Sequence, residues 1–129
     1  MPQLGKGESL RKEERLRRKK DFQLIAKEGT RGHTKNFLII GRRNEVGFSR
    51  IGAVANKKMG KAVERNRAKR LIREFFRRNK DTLPPSTDYI IVAKKGAQNL
   101  PYAQVVEELR PHVESSKEDR AKNEGLPLE

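Results

Sequence analysis

Residues 57–80 read KKMGKAVERNRAKRLIREFFRRNK, with eleven Lys or Arg against two Glu, a net charge of +9 (11 − 2). The chemistry open to such a segment is the grip of a polyanion through its phosphates. On a helix that only faces water, acids alternate with bases. Here the acids are nearly absent, so a partner must supply the negative charge. Lys57 and Lys58 lead through Met59 and Gly60, where glycine permits a tight turn, into Lys61. The first helical turn beside Lys61 and Arg65 offers unpaired backbone N–H groups, a site for phosphate. Asn66 carries both a donor and an acceptor, which suits a base edge or a sugar hydroxyl; an exposed polar helix residue is its plainer meaning. Arg67, Lys69, Arg70 and Arg73 continue the cationic series.

Such charge needs a scaffold. Ala68, Leu71, Ile72, Phe75 and Phe76 recur at helical spacing and predict a helix over 61–80 with one apolar stripe. Arg67, Arg70, Arg73 and Arg77 fall on or near the opposite side, with Arg65 and Lys69 closer to the edge of the stripe. The helix thus folds on one side and holds cations in water on the other. Strands are expected at NFLIIGRR (36–43), SRIGAVANKK (49–58) and DYIIVAKKG (88–96). A short helix, DFQLIAKEG (21–29), has Asp21 as cap and Gly29 as stop. TRGHTK (30–35) and NEVG (44–47) read as turns, and LPPS (83–86) as a break. Pro101 opens a last helix, YAQVVEELRPHV, whose end Pro111 blurs. Residues 1–9 offer nothing to bury and residues 115–129 are polar and acidic, so both are expected to be disordered. The folded domain is then 10–114, an α+β sandwich with helices on one sheet.

The 129 residues carry a net charge of +14, with 33% hydrophobic and 37% charged residues and no cysteine. One lean domain is implied, drawn to nucleic acid or an anionic surface. Disulfides, thiolate metal sites and a cysteine nucleophile are excluded. The longest apolar runs, FLII and YIIVA, fall far short of the roughly 20 residues of a membrane span. The first twenty residues lack a signal peptide's apolar stretch. A soluble, cytoplasmic protein without a membrane partner is expected. Catalysis by the chain itself would need clustered carboxylates or histidines at a metal. His33 and His112 stand apart in surface-like contexts, Glu13-Glu14 is flanked by bases, and no D-x-D or H-x-H occurs. No catalytic residue and no protein-held metal are expected.

The string formed by Lys57, Lys58, Gly60, Ala62, Val63, Arg65, Asn66, Arg67, Lys69, Arg70, Arg73 and Glu74 resembles the signature of the bacterial ribonuclease P protein subunit. RLRRKKDFQLIAKEG and DYIIVAKKG extend the resemblance over roughly residues 14–110. It implies an αβββαβα fold with a left-handed crossover around the motif helix, against the usual hand. It implies a partner, the ribonuclease P catalytic RNA, which removes the 5′ leader of precursor tRNA with Mg2+ bound mainly by that RNA. No stable protein partner is implied. The motif helix and its loop (Lys57, Lys58, Lys61, Arg65, Asn66, Arg67, Lys69, Arg70, Arg73) would touch the catalytic RNA, with Arg65, Asn66, Lys69 and Arg73 near the cleft edge. A cleft between the first helix and the sheet would hold the leader, with Phe22, Phe37 and Ile40 at matching positions. An aromatic ring there stacks on a base without demanding a sequence; a core role is the alternative for both Phe residues. Ala26 and Ile40 stand where relatives often place aromatics, which implies thinner stacking.

Rival classes are a ribosomal or chaperone-like RNA-binding protein, a nuclease acting alone, and a membrane-surface protein. The first explains the charge but not the full motif. The second lacks a catalytic cluster. The third would leave Phe75 and Phe76 without the core they require.

Overall fold

The computed structural model describes the backbone of residues 10–125 and the side chains of residues 10–113. The expected disordered segment 1–9 and residues 126–129 lie outside the described residues. In chain order the elements are α1 (Lys19–Glu28), β1 (Thr30–His33), β2 (Phe37–Arg43), β3 (Arg50–Ala55), α2 (Ala62–Asn79), β4 (Thr87–Ala93) and α3 (Tyr102–Gly125), an αβββαβα order. The sheet runs β1-β2-β4-β3. β1–β2 and β2–β4 are antiparallel, whereas β3 and β4 are parallel neighbours joined through α2. This is a mixed α+β fold, as the element pattern predicts.

The sheet buries both faces unequally. On one, Phe37, Ile39, Ile51, Tyr89, Ile91 and Ala93 meet Ala68, Ile72, Phe75 and Phe76 of α2 and Val105, Leu109 and Val113 of α3. The stripe expected on the motif helix is therefore the one it buries, with Leu71 at its edge. On the other face Ile40 and Ile90 pack under Ile25 of α1 and Leu16 of the N-terminal segment. Glycines let backbone and rings approach. A Cβ at Gly52 would stand 2.7 Å from the Phe22 ring, and one at Gly29 2.6 Å from Ile40.

Polar ties fix the edges. Asp88, only 3% exposed, accepts from Arg50 Nε and Nη2 at 2.8 Å each and from Asn44 Nδ2 at 2.7 Å. That bond to Asp88 raises the Arg50 guanidinium above its ordinary pKa, although burial works against it. Glu108 of α3 accepts from the Thr34 hydroxyl at 2.7 Å and from the Asn36 backbone N–H at 3.2 Å, and also bonds Asn36 Nδ2. The N-terminal segment lies along the outer edge of β3, where Leu16 N–H donates to Ile51 C=O at 2.9 Å. Glu14 ties that segment to the end of α2 through Lys80 at 2.9 Å.

Three elements differ from expectation. Residues 30–33 form an edge strand rather than a turn, paired from Thr30↔Gly41 to His33↔Leu38. Gly32 leaves room there for the His112 ring, 2.8 Å from where its Cβ would be. The strand at 49–58 stops at Ala55, because the Asn56 side chain accepts from Lys58 N–H at 2.8 Å and turns Lys57–Met59 into a 3-10 turn. The composition of 115–129 points to a disordered tail, yet α3 runs through Pro111 to Gly125. Residues 114–124 hold seven strong helix formers (Glu, Lys, Arg and Ala) beside Ser, Asp and Asn, and the first Gly or Pro after Pro111 is Gly125, where the helix ends.

Candidate nucleic-acid interface

α2 carries the cations because its other side is committed to the core. Asn66, Arg67 and Arg70 are exposed, and Lys69 and Arg73 are half-buried at its flanks. Against this helix the N-terminal segment builds a groove of about 640 Å³. Asn66, Arg70, Arg73, Glu74 and Arg77 form one wall, Leu10 and Arg15 the other. Burial, and next the charge of Arg15, lower the Arg73 pKa. Two guanidiniums held together in this way favour an anion between them. Arg15 belongs to no motif of the α2 segment. Its sequence signals are the basic run at 11–20 and the start of RLRRKKDFQLIAKEG, and its place on the groove depends on the pairing of residue 15 with Ile51.

The entry to α2 differs from expectation. Met59 is buried and anchors the 3-10 turn, leaving Lys57 and Lys58 exposed. Gly60 has φ +145, a value that favours glycine, and its neighbouring Glu64 carboxylate accepts from Lys61 N–H at 2.9 Å. A phosphate at this helix start must therefore compete with Glu64. Arg65 donates to Gly60 C=O at 2.9 Å and clasps the same turn. Arg65 and Glu64 thus shape the loop that presents Lys57, Lys58 and Lys61.

The second candidate surface is the sheet face beside α1. Leu38, Val54 and Val92 are half-buried side by side across β2, β3 and β4, with Phe22 seated over Gly52 at their border. Ala26 is half-buried on the same helix. Ile40 is on this face but only 3% exposed, so it forms floor rather than contact surface. Phe37 is corrected. It is 0% exposed and faces α2 and α3 on the opposite side of the sheet, so no base can reach it. Successive strand residues alternate faces, and Leu38 is the neighbour that points to the α1 side. The structure therefore brings Phe22 together with Leu38, Val54 and Val92, and separates all of them from Phe37.

His33 is exposed and His112 packs at Gly32, so the two histidines form no pair. Among the described residues, no group of three or more His, Asp or Glu side chains gathers to hold a metal ion. Among them, too, no helix is long and apolar enough to cross a membrane.

The family model described as Ribonuclease P matches residues 10–117. The ribonuclease P protein component of Syntrophus aciditrophicus is 46% identical over 101 residues, 78% of this chain and 85% of the relative. That of Thermotoga maritima is 43% identical over 88 residues, 68% of this chain and 75% of the relative. Among solved structures, the Thermotoga maritima RNase P protein aligns with TM-score 0.70 at 38% identity, covering 78% of this chain and 94% of that one. The Staphylococcus aureus RNase P protein aligns with TM-score 0.70 at 32% identity, covering 81% and 94%. With its cationic helix, its element order and these likenesses in agreement, the chain belongs to the ribonuclease P protein family, the protein components of an endoribonuclease complex.

Proposed function

We propose that this chain grips RNA on two surfaces of the ribonuclease P particle. The outer side of α2, with Asn66, Arg67, Lys69, Arg70 and Arg73, docks on the catalytic RNA together with Lys57, Lys58 and Lys61 of the preceding loop. The open sheet face beside α1 holds the single-stranded 5′ leader of precursor tRNA, with Phe22, Leu38, Val54 and Val92 as stacking and apolar surface over the Ile40 floor. The observation that carries this reading is the groove between α2 and the N-terminal segment, where Arg15, Arg70, Arg73 and Arg77 line the walls against Glu74 alone, and Arg15 and Arg73 repel each other. A phosphate chain relieves that repulsion, and each contact releases counterions from the RNA.

The protein's role is accessory. Cleavage of the phosphodiester bond is the work of the RNA, and Mg2+ is bound mainly by that RNA. The cytoplasm is the compartment proposed. The test is cleavage of precursor tRNA at low Mg2+ by the partner RNA alone, the protein alone, and both together. Only the mixture is expected to cut at the mature 5′ end. Cutting by the protein alone would overturn the accessory role. A mixture no better than RNA alone would overturn the reading as a whole and leave general RNA binding.

A further inference from the structure

α2 has a second groove, on the far side of its Arg70–Glu74 ridge, and its chemistry differs from the first. About 320 Å³ in volume, it lies between α2 and the start of α3 and is lined by Arg67, Arg70, Leu71, Glu74, Arg78 and Tyr102. Leu71 and the Tyr102 ring give it an apolar floor. The Arg78 guanidinium carbon sits 4.7 Å from the Tyr102 ring centroid, a cation–π contact. Its Nε donates to Glu74 Oε2 at 2.7 Å, so the group is held from below and from the side. The ring is held in turn, because its phenol oxygen accepts from Asn79 Nδ2 at 3.1 Å. Asn79 Nδ2 also donates to Phe75 C=O at 2.8 Å, and Asn79 Oδ1 accepts from Arg110 at 3.4 Å. Yet the Arg78 side chain remains 52% exposed.

A guanidinium fixed on one face and open on the other is a ready stacking surface. Unpaired RNA bases stack on Arg planes and on aromatic rings. The local charge argues against a site for phosphate alone. Glu74 already neutralises Arg78 and Arg77, with its carboxyl held below the ordinary range: burial pushes it up, but the bonds and charges of the two arginines together outweigh that. Glu74 lines both grooves, but only the neighbouring one holds Arg15 against Arg73. One side of the ridge suits phosphate, and the other suits a flat apolar ring with a phosphate at its rim, where Arg67 and Arg70 are exposed.

We propose that the α2–α3 groove binds one unpaired RNA base, stacked on the Arg78–Tyr102 pair, with the adjoining phosphate on Arg67 or Arg70. The choice of RNA as the occupant rests on the function proposed above. The probes are AMP and ribose 5-phosphate, titrated into the full chain while the Tyr102 ring protons are followed by NMR. AMP is expected to move them upfield in a saturable way, and ribose 5-phosphate is expected to leave them in place. Arg78→Lys keeps the charge but loses the plane, and is expected to weaken the AMP response about tenfold. Tyr102→Leu keeps an apolar floor and is expected to abolish AMP binding at this groove, read on the Leu71 methyl signals. Circular dichroism confirms that both variants fold. Equal Tyr102 shifts from both probes would make the groove a phosphate site and overturn the proposal. So would no shift from either probe, or an AMP response that Arg78→Lys leaves intact. The result is separable from the cleavage test. A silent groove with stimulated cleavage overturns this site alone, and a responsive groove without stimulation overturns the ribonuclease P role alone.

Discussion

The two faces of the sheet use the same strands for opposite ends. Phe37 and Leu38 are sequence neighbours, but one is sealed between β2 and the two long helices and the other borders an open shelf. The sealed face is closed by α2 and α3 together, whereas α1 has ten residues and covers only part of its side. One face is thus a core, and the other an open apolar shelf that contributes to stability and that we propose as a binding surface. A residue's value for function follows from how completely its face is covered, not from how apolar it is.

The largest expected contrast is between those neighbours. Phe37→Ala should cost about 3–5 kcal/mol of folding stability by emptying a filled core position. Leu38→Ala should cost about 1 kcal/mol, as expected for a half-buried side chain. Urea denaturation of both variants measures this, and equal losses would erase the distinction between the faces. Next comes Phe22→Ala. A stacked base contributes about 1–3 kcal/mol, so affinity for precursor tRNA should fall at least severalfold while affinity for mature tRNA holds. Parallel losses for both RNAs, measured by filter binding with the partner RNA present, would return Phe22 to the core.

The smallest effect belongs to Glu108, which ties α3 to the β1–β2 connection of the sealed face. Burial pushes its carboxyl up, but the bonds from Asn36 and Thr34 and the charge of Lys35 together hold it below the ordinary range. A carboxyl depressed in the folded state stabilises fully above its unfolded pKa, about 4.3, and loses that contribution as pH falls through the folded pKa. Glu108→Gln should therefore lower the melting temperature by a few degrees at neutral pH and narrow the gap to the parent below about pH 4. A constant offset at every pH would show that the charge of Glu108 contributes nothing.

Much of this fold is legible in the sequence. The stripe Ala68, Leu71, Ile72, Phe75 and Phe76 predicts both the helix and its buried side, because a 3.6-residue period has no other outlet. FLII is harder. A strand covered on both faces reads as a continuous apolar run, and its period cannot say which residue faces which layer. That is why the run cannot tell a core role for Phe37 from the cleft position that the resemblance implies, and the structure seals it. The strand Thr30–His33 is hidden for another reason, since TRGH has turn-like composition and is extended only because β2 pairs with it. Of the side proposed to face RNA, the exposed residues Arg67 and Arg70 follow from helical spacing alone. The clasp of Arg65 on Gly60 and the arrival of Arg15 opposite Arg73 do not, because both depend on where distant backbone comes to rest.

The strap of residues 10–16 has a consequence for the chain's survival. An uncovered strand edge invites pairing with a second chain, the first step of aggregation. Here the edge of β3 is capped by the same segment that builds one wall of the Arg-lined groove. This strap offers the exposed Arg11, Lys12 and Arg15 to proteases that cut after basic residues. A molecule clipped there would lose one wall of that groove and expose β3 in one event. Damaged copies would thereby be removed from the working pool by their own insolubility.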